Sequence, residues 1–203
     1  MTMQSADMVA RARDVLLLEA LAVQALAGQM NEGIKDVVDV LFNCKGHVLV
    51  TGAGTSSATA RRFAHLLSCC GTPALYIEAS DSLHGGAGAI TPRDVIYIIS
   101  KGGQSAEVNQ FADLAHARGA KIVAHTEAPQ APLARKADVV YHVVSVGDID
   151  QYGMIATGSS LVNAAACDVL CVLLLELRGY TLSDFGKTHP GGAVGRKLAG
   201  DKV

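Results

Sequence analysis

The chain has 203 residues, 50% of them hydrophobic and only 4% aromatic, and a formal net charge of −2. That length suits one sizeable α/β domain, or one domain plus an arm. The near-neutral charge, without any long Lys/Arg run, excludes an electrostatic nucleic-acid surface.

Residues 5–30 read as a helix, with Val9, Ala12, Leu16, Ala20, Val23 and Ala27 on a broad apolar stripe. A second helix is expected over 31–43, with Ile34, Val37, Val38 and Leu41 inward. These helices, residues 1–44, form an arm expected to pack on the domain of residues 45–203 and on a partner subunit. His47–Val50 is the first strand, and the loop Thr51–Ser57 leads into a helix over 58–70. After the turn Gly71-Thr72-Pro73 comes strand two, Ala74–Ile77, then a loop over 79–90 with Ser82, His84 and Gly85-Gly86. The run Val95-Ile96-Tyr97-Ile98-Ile99 is a buried third strand. It breaks into the polar loop Ser100-Lys101-Gly102-Gly103-Gln104-Ser105, and a helix follows to Arg118, stopped by Gly119. Strand four is Lys121–His125, a short helix lies within 129–137, and strand five is Val139–Val144. A polar loop, 147–154, precedes a long helix over 159–178. A helical turn at 182–185 and a loop through 188–196 close the chain.

Five cysteines, Cys44, Cys69, Cys70, Cys167 and Cys171, lack C-x-x-C spacing. They read as reduced thiols of a cytoplasmic protein rather than as a metal site. The N-terminus, with Asp7 and no basic run before an apolar core, does not read as a signal peptide. The apolar stretch Leu161–Leu177 is interrupted by Asn163, Asp168 and Glu176, which suits a core or interface helix and not a membrane span.

Strands alternating with helices predict an α/β three-layer αβα sandwich, flavodoxin-like, with a five-stranded parallel sheet in the order 2-1-3-4-5. The topological switch then lies between strands one and three, where ligands bind at the carboxyl ends. The loops that follow those two strands, holding Gly54, Thr55, Ser56 and Ser57 and then Ser100, Lys101, Gly103, Gln104 and Ser105, converge there. Such loops present backbone N–H groups and hydroxyls to a phosphate. Gly52-Ala53-Gly54-Thr55-Ser56-Ser57 also resembles a dinucleotide fingerprint, with Glu78 at the end of strand two as a ribose partner. Two hydroxyl-rich loops favour a sugar phosphate over NAD. Ser159 and Ser160 open the long helix, either as N-caps or as further phosphate ligands.

Glu107 sits in the first turn after the second loop, where a carboxylate can move a proton; the alternative is a helix-dipole carboxylate. His84 and His189 lie in loops, unlike the other five histidines, and are candidates for acid–base chemistry. Asp148 and Asp150, after strand five, are weaker candidates. The histidines are too scattered for a metal site.

The ending Asp184-Phe185-Gly186-Lys187-Thr188-His189-Pro190-Gly191-Gly192-Ala193-Val194-Gly195-Arg196-Lys197-Leu198 resembles the arabinose-5-phosphate isomerases, built on the sugar isomerase (SIS) domain. The likeness extends over about residues 45–198. It implies the sheet above, a homotetramer with sites shared between subunits, and aldose–ketose isomerisation of a phosphosugar without metal or organic cofactor. Ser56, Ser100, Ser105, Ser159 and Ser160 match its phosphate-binding positions. His84, Glu107 and His189 match its A-x-H-G histidine, its acidic residue and its H-P-G-G histidine, the last reaching a neighbouring subunit's pocket. The family's first-loop lysine is Thr55 here, the usual Asn-Ser of its second loop is Lys101-Gly102, and its acidic run after strand five is Val146-Gly147-Asp148-Ile149-Asp150. Family members often continue into CBS regulatory domains; this sequence ends at Val203. The resemblance is to an isomerase, and a phosphosugar sensor without turnover is the alternative.

Overall fold

The computed structural model describes residues 4–147 and 149–198. Five strands, β1 (Val48–Gly52), β2 (Ala74–Tyr76), β3 (Val95–Ile99), β4 (Lys121–Thr126) and β5 (Val139–His142), form one parallel sheet in the order β2-β1-β3-β4-β5. The central strands β1 and β3 are buried at every position. That explains their unbroken apolar runs, since both faces of the sheet are covered.

One face carries α1 (Ser5–Ala27), α2 (Ile34–Phe42), α3 (Thr55–Cys69) and α7 (Thr157–Arg178), packed around Phe63, Leu67, Tyr97 and Leu170. The other carries α4 (Ala79–Ser82), a 3-10 turn (Gly86–Ala89), α5 (Ala106–Ala117) and α6 (Pro132–Lys136), packed around Ile96, Ile98, Phe111 and Leu133. Alternate residues of β3 therefore feed different layers, as the period of two demands. Each of these fully buried side chains contributes roughly 1.5–3 kcal/mol. Two short helices, α8 (Leu182–Thr188) and α9 (Gly192–Leu198), close the described chain.

By length and composition α7 could cross a membrane. Here its Val162, Ala166, Cys167, Leu170, Cys171 and Leu174 are buried in the sheet-facing core. Arg178, in its last turn, donates from Nε to Thr72 Oγ1 at 2.8 Å and from Nη2 to the carbonyls of Leu41 and Phe42. That side chain ties α7 to the end of α2.

Several boundaries differ from the sequence reading, those of α1, α2, β5 and α8 by two or three residues. α3 begins at Thr55, not at residue 58, because the left-handed φ of +56° at Gly54 completes the turn early. α7 begins at Thr157, and Gly192–Leu198 is helical where a loop was expected. Its Gly-Gly-Ala start masks any apolar period.

Candidate functional site

Strands β1 and β3 run in register, with Gly52 opposite Ile99, so the loops leaving them start at the same level. A Cβ on Gly52 would lie 2.8 Å from the Ile99 carbonyl oxygen, so only glycine lets the loops approach this closely. Helices α3 and α5 start at this edge, and α7 packs beside α3 with Thr55 and Ser160 lining a shared groove of about 490 Å³. None of the three N-caps, Gly54, Ser105 and Ala156, makes a side-chain cap hydrogen bond. The first-turn N–H groups of a helix have no intrahelical partner. The starts of α3 and α7 border this groove and add positive potential to it, while α5 starts on the opposite face of the sheet.

The Ser100–Ser105 loop is braced from outside. Ser100 is buried and donates its N–H to the His125 carbonyl at 3.0 Å. The Lys101 carbonyl accepts from Thr126 Oγ1 at 2.9 Å and from the Glu127 N–H at 3.0 Å. The Gly103 carbonyl accepts from the Leu133 N–H and from Asn109 Nδ2 at 3.1 Å. Gly103 holds φ of +61°, and a Cβ there would sit 2.7 Å from Ala131 Cβ. The exposed Lys101 Nζ lies 3.7 Å from Glu127 Oε1, while Gln104 is exposed and Ser105 half-buried.

The Gly52–Ser57 loop is held mainly by its own bonds: Ser56 N–H to the Ala53 carbonyl, and Ser57 N–H and Oγ to the Gly54 carbonyl. A Cβ on Gly54 would meet nothing within 4 Å. Thr55 is exposed, and Ser56 and Ser57 are half-buried inside the first turn of α3.

Glu107 is half-buried in the first turn of α5, close behind the second loop. His84 is exposed on the turn after α4, and α4 packs on α5. His189 is elsewhere. Its Nε2 lies 3.4 Å from Cys69 Sγ, its Nδ1 lies 3.0 Å from the Phe185 carbonyl oxygen, and its ring stacks on Phe185 at 3.8 Å. Cys69 ends the 15-residue helix that Thr55 begins. At 1.5 Å per residue this separates His189 from the first loop by roughly 20 Å within one chain.

The profile of the SIS domain family matches residues 41–173. The chain belongs to the SIS domain family. The arabinose 5-phosphate isomerase of Escherichia coli K12 is 33% identical to it over 186 residues, 92% of this chain and 57% of that protein. The enzyme of that name from Pseudomonas aeruginosa is 32% identical over 195 residues, 96% of this chain and 60% of that one. The chain thus spans only 57–60% of the length of these relatives. A candidate sugar-phosphate isomerase from Listeria monocytogenes superimposes with a TM-score of 0.90 at 28% identity, over 94% of this chain and 100% of that one. An Escherichia coli CFT073 protein solved in complex with arabinose 5-phosphate gives 0.89 at 26% identity, over 93% of this chain and 100% of that one.

On this SIS scaffold several polar residues are already committed. Asp150 accepts from the Tyr152 N–H at 2.8 Å and the Ile155 N–H at 2.9 Å. Desolvation opposes its charge, but these N–H bonds prevail and hold the carboxyl below its usual range. It is therefore a turn-forming group. Asp148 lies outside the described residues. Ser159 and Ser160 do not cap α7, since the N-cap is Ala156; Ser160 Oγ donates to the Thr157 carbonyl at 3.0 Å.

Sequence reasoning missed two residues that frame the candidate site. Glu127, after β4, accepts from the Ser145 N–H at 2.9 Å and from its hydroxyl, binding the β5 loop to the Lys101 loop. His125, passed over as a strand histidine, is 1% exposed and bonded at both ring nitrogens. The signal was the pair His125-Thr126, two polar residues ending an apolar strand.

Proposed function

We propose that the chain is a phosphosugar aldose–ketose isomerase of the arabinose-5-phosphate type. The observation that carries this reading is that the two hydroxyl-bearing loops leave β1 and β3 at one level, with Glu107 in the first turn of α5 behind the second of them. The phosphate occupies the loops, with Thr55, Ser56, Ser100, Ser105 and Ser159 supplying hydroxyls, Ser57 and Ser160 joining them once their hydroxyls turn from the Gly54 and Thr157 carbonyls, and Lys101 a positive charge. Its remote binding orients the sugar, so C1 and C2 meet the reacting groups in one geometry. Glu107 takes the proton from one carbon and returns it to the other through an enediol. An acid must protonate the carbonyl oxygen meanwhile, and His84 and His189 are the groups for that work or for ring opening.

His189 reaches the two loops only if another copy supplies it, so the working unit is an oligomer, which the family resemblance makes a homotetramer in the cytoplasm. Its interface uses the exposed leucines of α1, Leu16, Leu17 and Leu21. The relatives' names and the arabinose 5-phosphate complex of the Escherichia coli CFT073 protein support the reading. The alternative, a phosphosugar sensor without turnover, is favoured by Thr55 at the lysine position and by the commitment of Asp150 to its turn.

The test incubates the protein with four- to six-carbon sugar phosphates in deuterated water. Deuterium gained at C1 or C2 is expected; binding without exchange makes the protein a sensor. Glu107→Gln is expected to keep sugar-phosphate affinity while turnover falls about 100-fold or more. Undiminished turnover in that variant removes Glu107 from the mechanism.

A further inference from the structure

His125 is the penultimate residue of β4, yet it bonds in three directions. Tyr97 Oη on β3 lies 2.9 Å from its Nδ1, and Asn163 Oδ1 on α7 lies 3.0 Å from its Nε2. An amide oxygen only accepts, so Nε2 carries the hydrogen and Nδ1 accepts from the tyrosine hydroxyl. Burial pushes the imidazole down to about 4, so the ring is neutral and both bonds stand. Its main-chain carbonyl meanwhile holds the Ser100 N–H at 3.0 Å. Thr126 and Glu127, next in the chain, hold the Lys101 carbonyl. Asn163 lies four residues after Ser159, one helical turn deeper on the same face of α7.

One residue thus connects the second phosphate loop, through its main chain, to the second turn of α7, through its side chain. An apolar ring could fill the same volume without burying two ring nitrogens. Such groups are costly unless all are paired, and when paired they fix one arrangement. We propose that His125 is a positioning residue: through Asn163 it sets the spacing between the Ser100–Ser105 loop and the Ser159–Ser160 turn, so that both grip one phosphoryl group. This rests on the phosphosugar reading and adds the device that tunes the grip.

The test measures affinity for inorganic phosphate and for a turned-over sugar phosphate by calorimetry, together with kcat and KM. His125→Phe keeps ring bulk and removes both bonds. Asn163→Leu removes the acceptor. His125→Gln restores a donor near Nε2. His125→Phe and Asn163→Leu are each expected to weaken phosphate binding about 10-fold, raising KM more than they lower kcat. The double variant should be no more than about twofold worse than either single one, because both break one link. His125→Gln should return affinity to within about threefold of the unaltered chain.

Variants that melt cooperatively and bind phosphate as tightly as the unaltered chain overturn the proposal, as does a double variant whose loss is the product of the two single losses. Should His125→Phe fail to fold, Asn163→Leu against His125→Gln carries the same comparison. If the unaltered chain binds no phosphosugar at all, the functional reading falls and this inference with it. Binding by the unaltered chain that the variants leave unchanged sinks this inference alone.

Discussion

The two loops at the switch point are built on opposite plans. The Ser100–Ser105 loop is fastened by β4, α5 and α6, through the His125 carbonyl, Thr126, Glu127, Asn109 and Leu133. The Gly52–Ser57 loop closes on itself, and Gly54 faces open space. The first is a cradle whose shape exists before any ligand; the second leaves room for a ligand or neighbouring chain to finish it. Pre-organised donors cost least to use, so most of the intrinsic anion affinity should reside in the braced loop.

Gly103→Ala attacks the braced loop directly. It combines a left-handed φ with a contact of 2.7 Å to Ala131 Cβ, and should cost about 3–4 kcal/mol of unfolding free energy along with phosphate affinity. Denaturant melts would show it, and adding Ala131→Gly should recover about half by removing the clash. A Gly103→Ala protein of parental stability would mean that the loop is not rigidly held.

Acid attacks the same loop through His125. Its folded value of about 4 lies below the ordinary 6.5, so the unfolded chain takes up the proton first as pH falls. The stability is therefore complete above about pH 6.5 and is lost progressively down to about pH 4, by about 3 kcal/mol in all. Chemical denaturation across that window checks it. His125→Gln should flatten the slope, and a slope that persists in that variant assigns the loss to other groups.

Gly54→Ala is the smallest of the three perturbations. Only the left-handed φ of +56° is strained and nothing is struck, so about 1–2 kcal/mol is expected, with phosphate affinity changing less than for Gly103→Ala. A larger effect than at Gly103 would reverse the contrast between the loops.

The sheet order was legible because the strand–helix alternation leaves few right-handed parallel topologies, and the runs at Val48–Val50 and Val95–Ile99 can only be central strands. The two loops were legible because glycine and hydroxyl residues end those runs. Helix starts were not, since Ser56, Ser57, Ser159 and Ser160 look like caps but sit inside first turns, where a glycine φ or Ala156 does the starting. His125 escaped because one sequence cannot tell a packed histidine from a bonded one; its partners, Tyr97 and Asn163, are 28 and 38 residues away. For His189 the motif marked an unusual residue, but only coordinates reveal that it stands at the far end of α3 from the loops.

Gly52 leaves a hydrogen atom as the only spacer between the mouths of β1 and β3. The aperture is consequently gauged by peptide bonds and not by aliphatic bulk, which swells, shrinks and drifts under mutation. Exchange of one core leucine for another apolar residue elsewhere can soften the scaffold without detuning that opening. Tolerance to sequence change should then be wide beneath the sheet and narrow at this position.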